Sequence, residues 1–169
     1  MKTRRIALLG LLTAIALTIF LVEARIPAVI PLPGVKLGLA NIVTVFTVFT
    51  LGPWEGAAVL ACRVFLGAVF AGNFSSILYS AAGGACAILA TIGARRILTQ
   101  KQLWAAGCLG AVAHSVGQML AAVAVTRTVQ VLVYLPILVI ISIFTGLFTG
   151  LCAQLLVKRG GKRWKTFFR

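Results

Sequence analysis

The 169-residue chain has no Asp at all and only two Glu, Glu23 and Glu55. Paired-carboxylate acid–base catalysis, an Asp-rich magnesium site and a Ser-His-Asp triad are thereby excluded. The four cysteines, Cys62, Cys86, Cys108 and Cys152, are far apart in apolar stretches and form no C-x-x-C pair. They read as buried free thiols behaving as small hydrophobes, since an iron–sulfur cluster needs thiolates converging on one point. No G-x-x-x-x-G-K-[ST] loop exists, so ATP hydrolysis by that route is absent. No carboxylate falls at mid-span, which disfavours a proton- or sodium-coupled carrier built on a buried acid. Nothing marks a pore filter. Neither a metal site nor a cofactor is expected.

What the chain has instead is apolar mass. Hydrophobic residues make up 61% of it and charged residues 11%, against roughly 25% charged in soluble proteins; the mean hydropathy is +1.09. A soluble fold this short still exposes roughly a third of its surface and could not hide so much. The sequence is that of an all-α integral membrane protein. Its net charge of +14 then sets topology and meets anionic headgroups rather than nucleic acid.

A membrane-crossing helix needs about 20 apolar residues. Charges and breakers divide the chain into six such stretches: about Ile6–Val22, Leu37–Gly52, Gly56–Gly72, Ser76–Ala94, Leu103–Val125 and Gln130–Val157. A Pro53-Trp54-Glu55 turn precedes the third, and Pro136 offers a kink in the sixth. The basic start Met1-Lys2-Thr3-Arg4-Arg5 resembles a signal peptide, but the apolar run after it exceeds the usual length of about 7–15. It is read as a retained helix. Residues 1–157 form a single membrane domain, and 158–169 a basic tail.

Twelve of the sixteen basic residues lie at the N-terminus, in the connection holding Arg95, Arg96 and Lys101, and in the tail from Lys158. Six spans put all three segments on one face, and the positive-inside rule places both termini in the cytoplasm. The long external loop Glu23–Lys36 is Pro-rich and apolar. It is either a stiff lid over the bundle or a connector resting at the interface.

Polar groups inside spans are expensive and face the protein interior. Arg63 needs a partner at mid-span, either Glu23 in a structural ion pair or an anionic ligand. His114 and Gln118, four residues apart, share one helix face, and interhelical hydrogen bonding is the commonest use of such a pair. Lys36, Asn41, Asn73, Tyr79 and Arg127 fall in the external half and could line a site with Arg63, His114 and Gln118. The available charge is positive, so the site favours an anionic or electron-rich small molecule. Small residues recur as Gly10-x-x-x-Ala14, Ala81 to Ala87 and Gly146-x-x-x-Gly150. They allow close helix contact, mostly within the bundle, with the remainder free for a partner.

The run Gly34-Val35-Lys36-Leu37-Gly38-Leu39-Ala40-Asn41-Ile42, with Gly52-Pro53-Trp54-Glu55-Gly56 and Arg63-Val64-Phe65-Leu66-Gly67, resembles the Gx transporter family, also described as heptaprenyl diphosphate synthase component I. The likeness continues through Phe74-Ser75-Ser76, Tyr79-Ser80-Ala81-Ala82-Gly83-Gly84 and His114-Ser115-Val116-Gly117-Gln118. It implies a fold like the substrate-binding S-components of energy-coupling-factor transporters: six helices, cytoplasmic termini and a ligand near the outer face under the first loop. By that resemblance Gly10 and Ala14 would dock a coupling subunit, with separate ATPases supplying energy. The synthase description does not fit a chain without Asp, except as an accessory subunit of a prenyl synthase. A third role, beside flavoprotein partners in extracellular electron transfer, also follows from the family's associations. The expectation is a six-helix, non-catalytic, S-component-like subunit binding an anionic or isoprenoid- or flavin-type solute.

Overall fold

The computed structural model describes residues 2–25, 36–72 and 75–167. Among them are six α-helices and two 3-10 segments, with no strand: α1 Lys2–Glu23, α2 Asn41–Thr50, α3 Pro53–Ala71, α4 Ser75–Ile97, α5 Leu103–Thr126 and α6 Leu135–Phe167. All-helical structure is what lipid demands of a spanning chain, because each backbone N–H and C=O must find its partner within its own segment. Every helix except α2 is long and apolar enough to cross a membrane. The surface is inside-out by the standards of a soluble protein. Ile6, Phe65, Phe70, Leu89, Leu120, Phe144 and Phe148 are all exposed.

α2 departs from expectation. The stretch read as a span over Leu37–Gly52 is helical only over Asn41–Thr50, roughly 15 Å at about 1.5 Å per residue. That is half of the ~30 Å hydrocarbon thickness. Eight of its ten residues are buried, and it packs against each of the other five helices. Val43, Val45, Phe46, Val48 and Phe49 form the centre of the main core with Leu12 and Ala16 of α1, Val59, Leu60 and Val64 of α3, and Leu103 and Ala106 of α5. Its threonines do not spoil that core. Thr47 Oγ1 donates to the Val43 carbonyl at 2.6 Å and Thr50 Oγ1 to the Phe46 carbonyl at 2.7 Å, so both hydroxyls are satisfied inside the helix.

Other ends are locally encoded. Pro53-Trp54-Glu55, expected as a turn, is instead the first turn of α3. Gly52 precedes it with φ +147°, and Pro53 sits at the first helical position, where its missing N–H costs nothing. Glu55 pairs there with Arg5 of α1. Pro136 likewise falls in the first turn of α6, so it introduces no mid-helix kink. α6 continues through the basic segment to Phe167. Its 33 residues make a rod of about 50 Å. The thiols are free, but Cys62 is exposed and the other three only part-buried, against the expectation of burial.

The α4–α5–α6 half is joined by glycines. A Cβ on Gly146 would lie 2.7 Å from Cys108 Cα, and one on Gly150 would lie 2.6 Å from Trp104 Cα. Across the α4–α5 seam, a Cβ on Gly117 would lie 2.6 Å from the Ala82 carbonyl oxygen. Ser115 and Ser142 hydroxyls meet at 2.5 Å between α5 and α6. Helices of this kind associate in lipid through backbone proximity and buried hydroxyl pairs.

Candidate functional site

A short α2 leaves the chain before it, Lys36–Ala40, inside the bundle. This segment turns at Gly38, where φ is +78°, a conformation that favours glycine. A Cβ there would also lie 2.9 Å from Asn41 Nδ2 and 3.1 Å from His114 Cδ2. Gly38 N–H donates to Glu23 Oε1 at 2.6 Å and Leu39 N–H to Glu23 Oε2 at 2.9 Å. The last residue of α1 therefore caps the turn that leads into α2 with both oxygens of a carboxylate that is 5% exposed. Such charge-assisted bonds to backbone N–H groups are the stronger kind.

Around this cap stand the predicted site residues. Arg63 of α3 is 2% exposed, and Asn41, His114 and Gln118 are equally buried. Lys36 is half-buried. Its backbone N–H donates to Gln118 Oε1 at 3.3 Å, and its ammonium lies 3.4 Å from the centroid of the Phe20 ring. The Arg63 guanidinium stands on that same ring at 5.7 Å, within cation–π range. His114 is packed against α4 at Gly83. A Cβ on Gly83 would lie 2.9 Å from His114 Cε1 and 2.7 Å from Gln118 Cγ.

The cluster is under-satisfied. Asn41 Nδ2 and Oδ1, Arg63 Nε and Nη2, His114 Nδ1 and Gln118 Nε2 are all buried without a hydrogen-bond partner. Each such group carries a desolvation cost of about 1–3 kcal/mol, more when charged. Six of the seven such atoms among the described residues fall in this one cluster, and such a concentration calls for a physical explanation. Glu23 is the acid nearest Arg63, as expected, but it makes no ion pair within 4 Å. Its oxygens are committed to Gly38 and Leu39. Two cations, Lys36 and Arg63, face one carboxylate.

Five predicted residues, Lys36, Asn41, Arg63, His114 and Gln118, thus come together. Tyr79 is buried in a separate apolar cluster with Met119, Ala122, Val131 and Leu138. Arg127 is exposed at the C-terminal end of α5 with φ +51°. Asn73 and most of the Glu23–Lys36 loop lie outside the described residues. Gly10 and Ala14 are exposed on α1, with nothing within 4 Å of a Cβ on Gly10. Phe20, Glu23, Gly38 and Gly83 escaped the sequence reading as site residues. Phe20 and Glu23, three apart on one helix face, carried a legible signal.

The family model for heptaprenyl diphosphate synthase component I matches residues 12–156. The chain belongs to this family. The match takes in Phe20, Glu23, Lys36, Asn41, Arg63, His114 and Gln118. No curated protein and no solved structure matches the chain. The family description names one component of a prenyl diphosphate synthase. For the chain itself, the Asp-free sequence supplies no magnesium-binding motif of the kind such catalysis requires.

Proposed function

We propose that this component I chain is a non-catalytic membrane subunit that binds a small anionic molecule at the Arg63 cluster and acts with partner subunits, in the manner of a transporter's substrate-binding component. The observation that carries the reading is the set of buried, partnerless donors on Arg63, Asn41 and Gln118 beside the N-terminus of a half-length helix. Half-helices that end inside a membrane bundle aim their positive ends at anionic groups. A buried guanidinium without a counter-ion is costly unless an anion joins it.

In this reading α2 counts as a sixth span, completed by the segment before it. Both termini face the cytoplasm, because the basic groups at Arg5, Arg95 and Lys158 share that side. The cluster then opens toward the outside. Gly10 and Ala14, exposed on α1, are the docking face for a coupling subunit driven by separate ATPases. The family description favours a second reading, an accessory subunit of a prenyl synthase. Beside a flavoprotein in electron transfer, the same anion site would serve a third.

Native mass spectrometry of full-length protein extracted in mild detergent tests the binding. Wild-type protein is expected to release a bound anion, and Arg63→Ala to have lost it. Equal occupancy in both proteins would sink the proposal. Thiol labelling of a cysteine placed beyond Lys158 on intact cells tests orientation, and labelling from the medium would invert it. Prenyl synthase activity that appears only on co-expression with an Asp-rich partner would favour the second reading.

A further inference from the structure

α3 and α4 do not close on each other along their length. Between them is an apolar groove of about 340 Å³, near the lower end of the ~300–1,000 Å³ range of ligand pockets. Its floor is formed by Leu60, Val64 and Ile88, all buried. Its lips include Ala61, Ala81 and Ala85, all exposed. Short lips over a branched floor leave a slot that faces the hydrocarbon.

The groove and the polar cluster share residues' neighbours on both helices. Leu60 and Val64 lie three residues before and one after Arg63, on the same turn of α3. On α4, Gly83 carries the contacts to His114 and Gln118, while Gly84, the next residue, meets Leu60. A Cβ on Gly84 would lie 3.0 Å from Leu60 Cδ1. Leu60, which lines the slot, therefore rests on the glycine next to the one that carries the His114 and Gln118 contacts.

Charge decides the head group. The whole chain holds two acids, and Glu55 is paired with Arg5. Residues 26–35 contain no ionisable side chain. The cluster's balance is Lys36 and Arg63 against Glu23, an excess of one positive charge. A monoanion neutralises it, whereas a diphosphate would overshoot in a low-dielectric setting where each unpaired charge is costly.

Resting on the anion-binding reading above, the geometry points to a single-chain amphiphile as the ligand, its monoanionic head on Arg63, Asn41 and Gln118 and its apolar chain in the α3–α4 groove. Such a molecule reaches the cluster sideways from the bilayer, past Leu60.

The test uses full-length protein in phosphatidylcholine nanodiscs, with empty discs as the partition control. The probes are butanoate, octanoate, dodecanoate, dodecanol and farnesyl diphosphate. Affinity is expected to rise at least tenfold from butanoate to dodecanoate and to fall at least tenfold in Arg63→Gln for every acid. The double variant Ala61→Phe/Ala85→Phe fills the lipid-facing slot without touching the core. It is expected to erase the gain with chain length while butanoate still binds. A diazirine-bearing dodecanoate should label α3 and α4. Affinity that is flat with chain length overturns the amphiphile in favour of a water-soluble anion. Equal binding of dodecanol marks an ordinary lipid seat and overturns it too. Farnesyl diphosphate binding tenfold tighter than dodecanoate overturns the monoanionic head. If no acid of any length binds, the anion-binding reading itself fails.

Discussion

The two halves of the bundle are built on different contacts. In α4–α5–α6 the helices touch backbone to backbone through Gly107, Gly117, Gly146 and Gly150. In α1–α2–α3, and where α3 meets α4, they touch through side chains: Phe20 on Gly67, Leu60 on Gly84. Backbone contacts leave nothing to rotate away, whereas a leucine or phenylalanine can change rotamer. The polar cluster sits where the halves meet. His114 and Gln118 come from the glycine-seamed half; Glu23, Lys36, Asn41 and Arg63 come from the other.

The largest effect should come from breaking the tight seams. Gly146→Val and Gly150→Val each force a side chain into facing backbone, and overpacking of this kind costs about 1–3 kcal/mol and sometimes more. Thermal unfolding in detergent should show both clearly destabilised. Gly10→Ala, whose new methyl meets nothing, should lose no stability and can gain up to about 1 kcal/mol of helix propensity. If Gly146→Val is as harmless as Gly10→Ala, the contrast between the halves is wrong.

Next is the hinge of the looser half. Glu23→Ala strands the Gly38 and Leu39 amides, each of which had a charged acceptor, and bonds to charged groups contribute about 1.5–3 kcal/mol. Amide exchange at Gly38 and Leu39 should accelerate while that of α5 stays unchanged. Uniform acceleration across the bundle would show that the cap holds the whole fold rather than α2 alone.

Arg63→Met should act in the opposite sense on stability. Replacing a buried charge that lacks a close ion-pair partner by an apolar side chain of similar length is neutral or stabilising, by about 1 kcal/mol, while anion binding is lost. A large destabilisation of the ligand-free protein would make Arg63 a structural residue and remove the motive for a ligand.

Several parts of this were legible in advance, for identifiable reasons. Apolar runs of span length gave α1, α4 and α5 close to their observed bounds, since lipid leaves a backbone no other option. The four-residue spacing of His114 and Gln118 put them on one face, and the cost of a mid-span Arg63 marked it as needing company. The ends of α2 were not legible. Leu37–Leu39 is as apolar as the helix after it, and hydropathy does not distinguish a buried turn from a buried helix. Pro53 was misread because proline stops a helix and starts one with equal ease. Glu23 was correctly singled out as the acid near Arg63, but its role as a cap on two backbone amides depends on where the chain returns after the Pro-rich loop.

Composition alone determined that this is a helical membrane protein, because so apolar a chain with so few acids has no stable arrangement in water. It also fixed the sign of any site, since two carboxylates cannot balance sixteen cations. Only the tertiary structure decided which cations go unbalanced. Hydrogen bonds and ion pairs reach a few ångströms, and whether Glu23 spends its oxygens on Arg63 or on Gly38 and Leu39 is a matter of packing between helices distant in sequence.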